Sequence, residues 1–149
     1  MIVRFADPET DALQIVDGAK DFASRVAFQH LLPDAEWQLT AAIGRVVTLS
    51  GFTALVAEDD GRIVGGIGLL FAPFLWNPAI TVADELFWWT APDAPFRTAK
   101  TLLTEALALI DARGAVPTFR ALATSPAGVD RAYRRMGLVP LETVYMRAC

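Results

Sequence analysis

Residues 52–90 constrain the fold most, because three strand-like runs follow one another there with no helix between them. Asp60-Gly61 separates the first two runs and is a typical hairpin turn. A loop rich in proline and aromatic residues, at 73–78, separates the second run from the third. Consecutive strands joined by short connections predict an antiparallel meander.

The third strand leads directly into a helix. The stretch ELFWWTAPDAPFRTAK starts as a short aromatic strand at Glu85 and passes two prolines before the helix that follows Lys100. The next strand, predicted at 119–123, has to lie parallel to the strand before the helix, because a helical crossover joins them. The sequence therefore predicts an α/β (α+β) fold with a mixed, mostly antiparallel sheet covered by helices.

Four helices are predicted from apolar residues that recur every three or four positions. The first begins at Asp7-Pro8, an N-cap followed by a first-turn proline, and its apolar stripe includes Leu13. Residues 139–147 are predicted to form one or two final strands. The remaining helix signals are the starts at Asp34 and Ser125-Pro126 and the stops at Gly51, Gly114 and Gly137.

Composition narrows the class of protein. The 149 residues fit one domain, 1–149, and a net charge of −4 argues against nucleic-acid binding. No apolar run reaches the roughly 18 residues that a membrane helix needs, and the start of the chain does not read as a signal peptide. With Cys149 and His30 as the only residues of their kinds, cysteine-rich and multi-histidine metal sites are excluded. A reducing, cytoplasmic setting fits best.

Three segments in order resemble the GNAT superfamily of N-acetyltransferases: VAEDDGRIVGGIGLL, DELFWWTAPDAPFRTAKTLLTEALALIDARGA and AYRRMGL. The likeness spans nearly the whole chain, and the double tryptophan resembles a phage-type branch. The resemblance implies a sheet of six to seven strands flanked by about four helices. In contrast, Gly65-Gly66-Ile67-Gly68 is read as a strand against which something packs closely, because it does not open a helix as a dinucleotide fingerprint would.

The resemblance implies acetyl transfer from acetyl-CoA, as cosubstrate and without a metal, to a primary amine that attacks the thioester directly. The acceptor would be a small molecule or a peptide-borne amine, and homodimers are common in the superfamily. One alternative is a catalytically degenerate module that binds CoA or regulates. Another is a structural subunit that does not bind CoA.

The acetyl-CoA loop departs from the family pattern, Arg/Gln-x-x-Gly-x-Gly/Ala. Ala94 falls at the first position, Arg97 where the first glycine belongs, and Ala99 at the last small position. Pro126 stands where the family often has an asparagine. Tight binding of the pyrophosphate is the property that these changes affect.

The resemblance assigns cofactor binding to two groups of residues. Backbone groups of the strand would hold the pantetheine arm and the oxyanion, and loop amides at the helix N-terminus would hold the pyrophosphate. Arg97 and Lys100 could supply charge in place of glycines, or be solvated residues of a first helical turn. One tryptophan is expected in the core and the other could wall the acceptor pocket. The assigned residues are Trp88, Trp89, Thr90, Phe96, Arg97, Thr98, Ala99 and Lys100.

The proton donor implied by the resemblance is Tyr133, which matches the family tyrosine that faces the CoA sulfur. Its position on an apolar helical stripe, taken alone, favours a core residue instead. For the base, Glu85 is the candidate and Asp84 its neighbour, with a solvated strand-end charge as the alternative. His30 lies near where family acceptors enter, but it could also be structural or exposed.

Overall fold

A computed structural model describes residues 1–24, 36–121, 125 and 128–141 of the chain. The five described strands form one sheet in the order β1-β2-β3-β4-β5. All neighbours pair antiparallel except β4 and β5, which pair parallel. The elements are β1 Ile2–Phe5, α1 Ala12–Ala23, α2 Glu36–Val47, β2 Phe52–Asp59, β3 Arg62–Phe74, β4 Asn77–Thr90, α3 Thr98–Ala112, β5 Val116–Thr118 and α4 Gly128–Arg135.

The predicted mixed sheet with four helices is confirmed, and the described residues contain five strands against the six to seven expected. Of the final strands predicted at 139–147, only 139–141 are described, and they are not a strand. The parallel strand is β5, three residues upstream of the predicted 119–123. It ends at Thr118 because the following segment turns its backbone and Arg120 side chain onto Glu85 instead of extending the ladder.

The two hairpins differ in how well their turns could be predicted. Asp60 and Gly61 both have positive φ, 49° and 75°, as a two-residue hairpin turn requires. The loop predicted at 73–78 is instead the end of a long β3–β4 hairpin. Pro73 is tolerated there because the β2–β3 register ends at Leu70, so the proline interrupts no ladder with β2.

The two faces of the sheet carry separate apolar clusters. Residues of α3 bury one face, with Leu102, Ala106 and Ile110 fully buried. Ile15 of α1 packs on the other face with Phe87 and Trp89. The close packing expected at the glycine-rich stretch of β3 is confirmed: a Cβ at Gly68 would lie 2.5 Å from the Phe87 ring.

Helix α1 starts later than predicted. Residues 8–11 form turns, and the first helical residue is Ala12. Asp7 accepts the Glu9 N–H at 2.8 Å, which caps this turn rather than the helix. Leu13, expected on the buried stripe, is exposed, and Ile15 takes the core position. Asp11, the residue before the first helical one, is buried and forms an ion pair with Arg4 at 2.6 Å.

Some of the other predicted helix starts and stops are confirmed, and others lie outside the described residues. Gly114 and Gly137 follow α3 and α4 with positive φ, 63° and 83°, as predicted for helix stops. Gly51 also has positive φ, 85°, and lies four residues after the last residue of α2. Asp34, Pro126, His30 and Cys149 lie outside the described residues.

Candidate active site

The site forms where β4 and β5 separate. Their register covers Val82–Val116, Ala83–Pro117 and Asp84–Thr118, and in the described part of the chain it goes no further. The Thr118 hydroxyl closes this short ladder by donating to the Asp84 carboxylate at 2.7 Å. Strand β4 continues to Thr90 on its β3 side alone. Among the described residues, no strand pairs with its other edge from Leu86 to Thr90, and this is the open edge of β4.

Strand alternation decides which backbone groups lie on the open edge. The Ala91 N–H donates to the Val64 carbonyl on the β3 side at 2.9 Å. Since successive residues of a strand point their N–H and C=O to opposite edges, Trp89 also faces β3. The backbone groups of Trp88 and Thr90 face the open edge. Two of the three residues proposed for backbone contacts are thus placed for them, and Trp89 is not.

The side chains of the two tryptophans lie on opposite faces, as expected. Trp89 is 8% exposed and packs directly over Gly18 of α1, so it is the core tryptophan. Trp88 is half-buried on the α3 face and stacks on Tyr133. Neither indole N–H has a hydrogen-bond partner among the described residues.

Tyr133 occupies a buried position in α4. Its ring lies between Trp88 and Phe119, with ring centroids at 6.0 Å and 5.6 Å, and the residue is 7% exposed. The hydroxyl donates to the Arg120 carbonyl at 3.3 Å. Burial, and secondly the charge of Glu85, raise the pKa of the phenol. The group therefore keeps its proton at neutral pH and can act as a donor.

Glu85 is a buried carboxylate at the point of separation. Burial raises its pKa to about 7, partly offset by the Arg120 N–H and charge and reinforced by Asp84. The Arg120 N–H donates to Oε2 at 3.2 Å. A carboxylate that titrates near neutral pH is suited to accept and release protons. Asp84, the other candidate, is instead engaged by the Thr118 hydroxyl.

Arg120 is a site residue that sequence reasoning missed. Its Nη1 donates to the Glu85 carbonyl at 2.6 Å, and Nη2 lies 3.4 Å from the Asp84 carboxylate. Its backbone carbonyl accepts the Tyr133 hydroxyl. Within a predicted strand at 119–123, no pattern distinguishes an arginine that folds back onto β4 from one that faces solvent.

The loop before α3 is held by its own hydrogen bonds. The Thr98 N–H and hydroxyl both donate to the Pro95 carbonyl, at 2.9 Å and 2.7 Å. The Thr98 side chain is 1% exposed, and its methyl group lies near Gly65. Thr98 therefore shapes the loop, and its donors are already used.

Other donors remain at the start of α3. The first bond of the helical i→i−4 type joins the Thr101 N–H to the Arg97 carbonyl, so the amides of Ala99 and Lys100 precede it, as at any helix N-terminus. Arg97 and Lys100 are exposed and make no ion pair within the described residues; Phe96 is fully exposed. The positive end of the helix and two cationic side chains thus lie together.

The described residues contain neither a metal-binding cluster nor a membrane-spanning helix. Among the described residues, no group of three His, Cys, Asp or Glu side chains is placed to hold a metal ion. In the same residues, no helix has the length and apolarity needed to cross a membrane.

Comparison with known proteins identifies the fold. No family model and no curated sequence matches the chain. Among solved structures, it is similar to a ribosomal-protein-alanine N-acetyltransferase from Brucella melitensis biovar Abortus 2308, with 14% identity over 100% of both chains and a TM-score of 0.73. It is also similar to a predicted acetyltransferase with acetyl-CoA from Clostridium acetobutylicum, with 15% identity, 99% and 95% coverage and a TM-score of 0.71.

A third similar structure has a different description. It is a transcriptional regulator from Bacillus halodurans C-125, with 20% identity, 99% coverage of both chains and a TM-score of 0.76. At these identities the likeness shows the fold alone. The chain has the fold of the GNAT-type acetyltransferases, which confirms the predicted fold; the phage-type branch stays a prediction.

Proposed function

We propose that this protein is an N-acetyltransferase that transfers the acetyl group of acetyl-CoA to a primary amine by direct attack. The observation that carries the proposal is the open edge of β4 at Trp88 and Thr90, beside the protonated phenol of Tyr133. The fold shared with solved acetyltransferases supports it.

Binding of the cosubstrate divides between the strand edge and the helix. The backbone groups of Trp88 and Thr90 would pair with the amides of the pantetheine arm. The pyrophosphate would lie at the N-terminus of α3 against the amides of Ala99 and Lys100, where the helix dipole favours an anion by about 0.3–1 kcal/mol. The side chains of Arg97 and Lys100 add the charge that replaces a glycine-rich nest.

A side chain is proposed as the donor or the acceptor in each proton transfer of the reaction. The amine nitrogen attacks the thioester carbonyl carbon, and outward N–H groups of the β4 edge stabilise the resulting oxyanion. Glu85 accepts the proton that the amine loses, directly or through water. The C–S bond then breaks, and the Tyr133 hydroxyl protonates the departing thiolate. The pKa of Glu85, about 7, suits the first step. The raised pKa of Tyr133 keeps the phenol protonated until the thiolate departs.

The acceptor is proposed as a small-molecule or peptide-borne amine. One similar structure is named a ribosomal-protein-alanine N-acetyltransferase, and its acceptor is an amine by that name. The expected entry region includes His30, which lies outside the described residues.

A thiol-release assay over a panel of small and peptide amines tests the proposal. CoA release that depends on both acetyl-CoA and an amine, with an acetylated product in mass spectrometry, is the expected result. Acetyl-CoA binding without turnover on any amine would instead support a non-catalytic CoA-binding module. No binding at all would support a structural subunit.

A further inference from the structure

We propose that Arg120 is a positioning residue that fixes the proton acceptor and the proton donor of the site relative to each other. The inference rests on the proposed acetyl transfer and adds a residue to it. Its basis is geometric, since Arg120 contacts both Glu85 and Tyr133, which belong to different elements, β4 and α4.

The contacts of Arg120 all converge at the separation of β4 and β5. Its N–H binds the Glu85 carboxylate, its carbonyl accepts the Tyr133 hydroxyl, and its Nη1 binds the Glu85 carbonyl at 2.6 Å. Of these, the first two are backbone contacts. They depend on where the segment after Thr118 lies, and β5 has already ended there.

The Arg120 side chain anchors this segment. Beyond Thr118 the described ladder supplies no hydrogen bond between β4 and β5, so the guanidinium contact with the Glu85 carbonyl takes its place. A charge-assisted hydrogen bond is stronger than a neutral one. Removing the side chain should therefore release the backbone groups that contact Glu85 and Tyr133.

The electrostatic setting gives a readout that a purely structural residue would not change. Among the described residues, the titratable and charged groups that act on the Glu85 carboxylate are Asp84 on β4, Arg120 on the segment after β5 and Tyr133 on α4. Of these, Arg120 alone favours the charged carboxylate, through its N–H and its charge. Loss of the guanidinium should therefore make Glu85 harder to ionise.

The test compares Arg120→Met, Arg120→Lys and a control, Arg134→Met. Arg134 is a matched control because its side chain is 57% exposed against 53% for Arg120, and within the described residues its only ion pair is with Asp130 on its own helix. The Glu85 titration is followed by carbon-13 NMR of labelled glutamate side chains, assigned with Glu85→Gln. Steady-state rates with acetyl-CoA and the best amine are measured across pH.

For Arg120→Met, the NMR midpoint of Glu85 and the acid limb of kcat should both move up by about one pH unit. The kcat should fall roughly 10- to 100-fold with KM for acetyl-CoA little changed. Arg120→Lys should recover part of both effects, and Arg134→Met should show neither.

Two failures are distinguishable. An unchanged Glu85 midpoint in folded Arg120→Met would overturn the inference, whatever the enzyme does. A wild-type protein without turnover on any amine would overturn the proposed function, while the NMR titration would still report on Arg120. If Arg120→Met does not fold, a further variant, Arg120→Gln, which is polar but uncharged, decides, and a wild-type Glu85 midpoint in that variant counts against the inference.

Discussion

The indole of Trp88 stacks on the phenol ring of Tyr133, with centroids 6.0 Å apart and planes at 29°. This contact joins β4 to α4 and sets the Tyr133 ring beside the strand edge proposed to bind the pantetheine arm. The hydroxyl takes no part in the stack, because it donates to the Arg120 carbonyl. Packing and proton donation by Tyr133 can therefore be separated by one substitution.

Tyr133→Phe should retain the fold and lower kcat by roughly 10²–10⁴-fold, because the ring stays packed while the proton donor is lost. The measurement is thiol release under saturating acetyl-CoA, with near-UV circular dichroism as the check on packing around Trp88. Full activity in this variant would mean that Tyr133 is a core residue only.

Glu85 should make stability depend on pH. Its pKa is raised in the folded protein from 4.5 to about 7, so the folded state binds an extra proton between these values. The contribution of Glu85 to the free energy of unfolding is largest below pH 4.5, and it is lost as the pH rises through 7. The loss is on the order of 3 kcal/mol.

Glu85→Gln removes this dependence while keeping an oxygen that accepts the Arg120 N–H. Urea unfolding of both proteins at pH 5 and pH 8 measures it. The variant should gain stability relative to the wild type between these two values. A constant difference across pH would show that Glu85 titrates as it would in an unfolded chain.

The order of secondary structure could be predicted better than the local geometry. The hairpin turn at Asp60-Gly61 and the helix ends at Gly114 and Gly137 could be predicted, because these residue types favour positive φ. The β3–β4 connection falls within the loop predicted at 73–78, but its tight turn at Leu75-Trp76 could not be predicted because neither residue carries a hairpin signal.

For the site, the sequence pointed to Tyr133 and Glu85 through a resemblance. It could not place the backbone of Trp89 on the β3 side, because that depends on the register fixed with Gly66. Nor could it show that Thr98 binds Pro95, or that Arg120 folds back onto Glu85 from 35 residues away. The first is a side-chain contact within one turn and the second a tertiary contact, and neither leaves a periodic pattern in the sequence.

Two glycine substitutions in neighbouring helices should have opposite effects. A Cβ at Gly18 would clash with the Trp89 ring, whereas a Cβ at Gly44 meets nothing within 4 Å among the described residues. Gly18→Ala should lower the free energy of unfolding by about 1–3 kcal/mol through overpacking. Gly44→Ala should raise it by about 0.5–1 kcal/mol, as expected within a helix. Chemical denaturation measures both, and equal effects would contradict the α1–β4 packing.

Arg97 and Lys100 should contribute to cosubstrate affinity. Arg97→Ala or Lys100→Ala should each weaken acetyl-CoA binding by roughly 1–2 kcal/mol, a factor of about 5–30 in Kd, because a charge-assisted contact with phosphate is lost. Arg45→Ala, an exposed arginine in the last turn of α2, is the control. Calorimetry at low ionic strength gives the values, and equal affinity in all three variants would mean that both cations are only solvated.

The most direct test of the central claim is titration of the wild-type protein with acetyl-CoA, followed by thiol release with an amine panel in the same buffer. The account predicts saturable binding and amine-dependent release of CoA, with the acetyl group found on the amine nitrogen. Absence of both binding and release, from protein shown to be folded, would contradict it.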